Sequence, residues 1–317
     1  MESAAAPRGL VIDLVTPLGR DGSIDGRGLA RQLDRVSPHV DAVYLASPHL
    51  GRGHQLGPDQ RAELLDKALV VLREKIPIFV WVTQKTEEDT RATLHALKKK
   101  RDRRNGQARV FWVDSPLQYH SNRGLPELYR DLCRTFDEPF ILHNDPALIA
   151  PLGKPFKRAN IRTAVLKELS RLESIVGLIY LGSLDRAHHY QKACRSRSHF
   201  RIYDGDESQF LDHPSMSGGV SVGANLAPGA WERIARSSLK LSGGRSSYPS
   251  YLEQVWESGG YIRGLKDLYE KAPGPLVRAV LGDLGVLGPN AASPLDEALE
   301  AARKKLEDLM ARYGDYV

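Results

Sequence analysis

Eight short runs of β-branched and aromatic residues recur along the chain, separated by longer segments of helical period, and that alternation admits few folds. The runs are Leu10–Val15, Ala42–Ala46, Ile78–Thr83, Val110–Val113, Phe140–Leu142, Ile175–Leu181, Phe200–Tyr203 and Gly219–Val222. Strands joined through helices pair in parallel, and eight of them close into a (β/α)8 TIM barrel, an α/β fold. Between the strands, Gly28–Val36 places apolar residues at 29, 33 and 36. Pro58–Leu72 starts on a proline and repeats apolar residues at 64, 65, 68, 69 and 72. Thr86–Arg101 has Thr86 as N-cap and acids at 87, 88 and 89.

After the eighth run come a helix at Trp231–Leu239, a Gly/Ser break at Ser242–Ser247, and helices at Leu252–Leu268, Pro275–Leu284 and Leu295–Tyr313. The expected organisation is therefore a barrel over 1–240 and a helical extension over 241–317 packed on it. A chain of 317 residues with 41% hydrophobic content suffices to fill one such core.

Composition narrows the function classes. Cys133 and Cys194 form no disulfide framework and sit in no metal-ligand spacing, so both read as reduced thiols. The opening MESAAAPRG lacks the apolar core of a secretory signal, and no run approaches about 18 apolar residues. A cytoplasmic protein without a membrane partner is the expectation. The formal charge of +6 comes largely from Lys98, Lys99, Lys100, Arg101, Arg103 and Arg104. These close a helix, where cations suit the macrodipole, and no aromatics interleave with them, so no nucleic-acid partner is expected. Gly218-Gly219 has neither Walker nor G-x-G-x-x-G spacing, and no cofactor is implied.

Several segments resemble the dihydrodipicolinate synthase and N-acetylneuraminate lyase family. They are Val15-Thr16-Pro17-Leu18 with Asp21–Asp25, Leu56–Arg61, Asn144 with Pro146, Ile175-Val176-Gly177, Gly205-Asp206-Glu207, and Gly219–Val222 with Asn225 and Pro228. They run in the family's order over about residues 9 to 300. The resemblance implies a barrel assembled as a homodimer or homotetramer, with a lysine on strand six forming a Schiff base with an oxo-acid. The matching position is Ile179, and no lysine lies on that strand. The family's strand-five tyrosine corresponds to His143, its carboxylate-binding arginine to Leu148, and the threonine pair of its strand-two turn to His49 and Leu50. An imine needs an amine, so Schiff-base aldolase activity is not expected.

Barrels of this class carry their sites at the C-terminal ends of the strands. That rim is expected to hold Asp13, Ser47, His49, Leu50, Tyr119, His143, Asp145, Ile179, Leu181, Gly205, Asp206, Glu207 and Ser221. Asp13 interrupts an apolar run, and a carboxylate inside a barrel strand is costly unless paired. Asp13, His49 and His143 are the candidates for acid–base work or, from three separate segments, for holding a divalent metal; a polar network without turnover is the third reading of the same residues. No local metal motif is present. His188 and His189 are adjacent on a helix, hence about 100° apart, and read as surface or packing residues. Asp204, Asp206 and Glu207 read as loop anchors. The functional expectation is a binding or regulatory barrel for a small anionic metabolite, an oxo-acid being one option. Alternatives are a lyase or hydro-lyase using His143, His49 and Asp13, and a non-catalytic subunit partnering an active homologue.

Overall fold

Runs such as Ile78–Trp81 are apolar at every position because helices cover the outer face of the sheet while side chains from the other strands fill the inner one. The computed structural model describes residues 5–104, 108–152, 158–239, 250–288 and 294–315. Its strands are β1 (Gly9–Asp13), β2 (Ala42–Leu45), β3 (Ile78–Trp81), β4 (Val110–Asp114), β5 (Phe140–Asn144), β6 (Ile175–Tyr180), β7 (Arg201–Asp204) and β8 (Gly218–Ser221). All pair in parallel, and β8 returns to β1 with Gly9 opposite Gly218 and Ile12 opposite Ser221, closing the barrel.

Period two selects the inward set: Val11 on β1, Tyr44 on β2, Phe79 and Trp81 on β3, Phe111 and Val113 on β4, Ile141 on β5. On β6 the register slips. Phe140 pairs with Ile175 but Ile141 pairs with Gly177, so Val176 is the extra residue. Both Val176 and Ile179 consequently belong to the interior.

The strands differ at their ends from the sequence reading. Strand β1 stops at Asp13; Leu14 still bonds the Tyr44 carbonyl, but the Val15 N–H turns to the Asn225 side chain. Strand β5 runs two residues further than its apolar stretch, through the polar His143 and Asn144. Helix Pro58–Leu72 has the bounds read from its period, and Glu87–Arg103 is capped by Thr86, which accepts from the Asp89 N–H. Helix Gly26–Val36 begins earlier than read, because Asp25 caps it through the N–H groups of Arg27 and Gly28.

Three helices follow the barrel: Ser250–Tyr269, Pro273–Asp283 and Glu297–Tyr313. The last starts two residues later than read, capped by Asp296. Tyr261, Ile262, Leu265 and Tyr269 bury one side of the first, each worth on the order of 1.5–3 kcal/mol. The Ser242–Ser247 break and the 240/241 boundary lie outside the described residues. The basic run is tied down by ion pairs, Lys98 to Asp137 at 3.3 Å, Arg101 to Glu138 at 2.6 Å and Arg104 to Asp66 at 2.9 Å. Among the described residues no helix is long and apolar enough to cross a membrane.

Candidate functional site

A cavity of about 470 Å³ opens at the C-terminal mouth of the barrel. Asp13, Tyr44 and His143 line it from β1, β2 and β5, and His49 from the turn after β2. Ile179 and Leu181 form an apolar wall with Val220 and Val222, and Gly205–Ser208 continue it. The opposite wall comes from beyond the barrel: Lys266, Tyr269, Glu270 and Pro273.

Asp13 is 3% exposed. The Ser47 hydroxyl donates a short hydrogen bond to its Oδ1, and Ser47 Oγ in turn accepts the Gly51 N–H at 2.8 Å. Burial raises the Asp13 carboxyl to about 6, against the smaller opposing pull of the Ser47 hydroxyl, His49 and the Leu50 N–H. The acid thus titrates near neutrality inside a turn wrapped round it.

That turn is strongly held. Ala46 takes a left-handed φ of 53° to leave β2, and a Cβ at Gly51 would stand 2.2 Å from the Ser47 nitrogen, so glycine alone fits. Beneath it lies Arg61, a fully buried guanidinium that donates to the carbonyls of Gly53, Thr83, Trp81 and Leu56 at 2.7, 2.9, 3.0 and 3.1 Å and stacks on Trp81. Fastened from below, the turn aims His49 at the mouth, where its side chain is 39% exposed and its Nε2 stands 3.0 Å from Asp145 Oδ2. Burial pulls the imidazole down, but Asp145 and then Asp13 outweigh it, and the net shift is upward. His49 is thus the more basic of the two imidazoles that line the cavity.

His143 is the opposite case. It is 3% exposed, its Nδ1 is 2.8 Å from Ser115 Oγ, and burial followed by the His49 charge drives it down to about 3. At neutral pH the ring is uncharged. Its neighbour Tyr44, with ring centroids 6.4 Å apart, is also buried, and its hydroxyl has no hydrogen-bond partner among the described residues.

Across the cavity, Glu207 accepts from the Ser221 hydroxyl at 2.6 Å, the Gly223 N–H at 2.8 Å and the Tyr269 hydroxyl at 2.6 Å. It is an anchor that ties helix Ser250–Tyr269 to the barrel rim. Lys266 pairs with Glu270 at 2.7 Å. Burial lowers its ammonium, but Glu270, Asp206 and Glu207 more than restore it, holding the lysine protonated.

The expected rim residues divide accordingly. Asp13, His49, His143, Ile179, Leu181, Gly205, Asp206 and Glu207 meet at one cavity. Ser47, Leu50, Tyr119, Asp145 and Ser221 stand outside its lining. Ser47 and Ser221 turn to Asp13 and Glu207; Leu50 is buried at 1% exposure; Asp145 backs His49; Tyr119 donates to Asp114, which also accepts from Thr83 and Tyr129. No cluster of His, Cys, Asp and Glu that could hold a metal ion occurs among the described residues. His188 and His189 are exposed on helix Leu184–Cys194, away from the mouth. Tyr44, Lys266, Tyr269 and Glu270 were missed in the sequence. Tyr44 reads there as one more strand aromatic, and the other three come from a helix far along the chain.

The Dihydrodipicolinate synthetase family model matches residues 6–311. The 4-hydroxy-tetrahydrodipicolinate synthase of Alcanivorax borkumensis is 25% identical over 316 residues, 97% of this chain and 98% of that one. Among solved structures, dihydrodipicolinate synthase of Thermotoga maritima superposes with a TM-score of 0.76 at 20% identity, covering 98% of this chain and 99% of that one. The chloride-inhibited enzyme of Acinetobacter baumannii, solved with pyruvate, does so with 0.76 at 18% identity over 96% and 99%.

Proposed function

Because the chain belongs to the dihydrodipicolinate synthetase family while its sixth strand, Ile175–Tyr180, carries no amine, we propose that it is a small-molecule-binding barrel without imine chemistry. The carrying observation is Ile179 in the wall of a cavity that also gathers Asp13, Tyr44, His49, His143 and Lys266. Lys266 is no substitute: a nucleophilic lysine needs a depressed pKa, and Glu270 holds this one protonated. Lys266 and His49 are the basic groups that can meet a ligand carboxylate at the mouth, while the four carboxyl-bearing residues of the lining count against a multivalent anion. An oxo-acid meets that description, and a homodimer or homotetramer is the proposed assembly.

Borohydride reduction in the presence of pyruvate tests the reading, with intact-mass measurement. The unmodified mass is expected; one stoichiometric increment mapped to a cavity lysine overturns it.

A second reading has one observation of its own. An acid of pKa about 6, Asp13, lies within electrostatic reach of His49, a pairing suited to moving a proton near pH 7. Under it, Asp13→Asn abolishes turnover of the true substrate and leaves the fold intact.

A further inference from the structure

We propose that the Tyr44 hydroxyl and the His143 Nε2–H together grip one uncharged carbonyl oxygen of the ligand at the cavity floor. The inference deepens the binding reading above and rests on it.

Hydrogen-bond accounting favours one tautomer of the histidine, the one that leaves the Ser115 hydroxyl proton an acceptor. Ser115 Oγ has two partners, Trp81 Nε1 at 3.0 Å and His143 Nδ1 at 2.8 Å. An indole N–H only donates, so it occupies an oxygen lone pair. The hydroxyl proton then has one acceptor among the described hydrogen bonds, His143 Nδ1. A neutral imidazole that accepts at Nδ1 carries its own proton on Nε2. His143 lines the cavity, so what it offers a ligand is a donor, with no free lone pair for a base.

Tyr44 supplies the second donor. It is 1% exposed, lines the same cavity, and its Oη is a buried polar atom without a partner among the described residues. Buried hydroxyls are almost always paired, so an orphan at a cavity wall marks where a ligand atom belongs. Burial, then Asp13, hold the phenol protonated far above neutrality.

Two neutral donors side by side select an acceptor with two lone pairs. Asp13, Asp114 and Asp145 act on Tyr44 electrostatically against the single opposing charge of Arg61, a balance that disfavours an anion there. A ketone or amide oxygen fits and a carboxylate does not; a carboxylate on the same ligand is directed to the mouth, toward His49 and Lys266.

Pyruvate and propionate, which differ by the ketone oxygen, are the probes, titrated into the full-length protein and its Tyr44→Phe variant. Pyruvate is expected to bind about tenfold tighter than propionate, with that preference cut to roughly threefold or less in Tyr44→Phe, as when one donor to a substrate oxygen is lost. Nitrogen-15 spectra of the His143 ring, which need no variant, are expected to show the proton on Nε2 from pH 5 to 8. A proton on Nδ1, or a preference for pyruvate unchanged in Tyr44→Phe, overturns the clamp alone. A wild-type cavity that takes up neither probe overturns the binding reading and the clamp with it.

Discussion

Asp13→Asn isolates the cost of keeping a carboxyl in the barrel. In the unfolded chain the group has its ordinary value of 3.8, and in the native protein burial lifts it to about 6. Between those values the unfolded chain has released the proton and the native protein still holds it. Unfolding therefore releases a proton, and stability falls as pH rises. About two pKa units at 1.36 kcal/mol each amount to ~3 kcal/mol, most of it lost between about pH 4 and pH 7. Asparagine keeps the shape and an acceptor for the Ser47 hydroxyl but has no proton to lose. Urea unfolding of both proteins at pH 4, 5, 6 and 7 yields the stability of wild type minus variant, a difference in which titrating groups remote from Asp13 cancel. That difference should decline by ~2 kcal/mol from pH 4 to 7, the remainder falling below pH 4, where the unfolded chain also holds the proton. A change of less than about 0.5 kcal/mol across the range would show that Asp13 titrates normally and is not desolvated as described.

Further outcomes follow from the same geometry. His143, depressed to about 3, should give ring-proton chemical shifts that stay constant from pH 8 down to about 4; a midpoint near 6.5 would mean the ring is open to water. Gly51→Ala should destabilise the protein by ~2–3 kcal/mol in thermal unfolding, since the new Cβ meets backbone atoms that have no room to retreat. Arg61→Met should cost ~3 kcal/mol or more, because it removes one donor from each of four buried carbonyls, and equal melting temperatures would refute that role. Tyr269→Phe leaves Glu207 two donors instead of three and should speed amide exchange in helix Ser250–Tyr269 while sparing β1–β4.

The strand pattern was legible because both faces of a parallel sheet are buried, which makes each strand a nearly continuous apolar run. It failed where the strand reaches the site. The apolar stretch of β5 ends at Leu142, yet the ladder continues through His143 and Asn144, whose side chains serve the cavity and the Asn160–Ile161 segment. Asp13 was visible for the same reason inverted, a charge inside an apolar run. Tyr119 illustrates a failure of another kind. Its position near the end of β4 is right for a rim residue, but Asp114, five residues earlier, captures its hydroxyl at 2.6 Å. Competition of that sort depends on side-chain directions that linear spacing does not encode. Lys266, Tyr269 and Glu270 were beyond reach because nothing local ties a helix following the barrel to the mouth; the tie is Glu207, and its buried bond to Tyr269 exists only in three dimensions.

The cavity joins residues far apart along the polypeptide, Asp13 on the first strand and Tyr269 with Pro273 beyond the eighth. A chain growing on the ribosome can assemble strands and helices in turn, yet it has no closed binding site until the helix bearing Tyr269 has emerged and docked on Glu207. The competence to hold a ligand is thus acquired last. Any ligand stabilisation of folding comes after the eight strands are built and the helix bearing Tyr269 has docked.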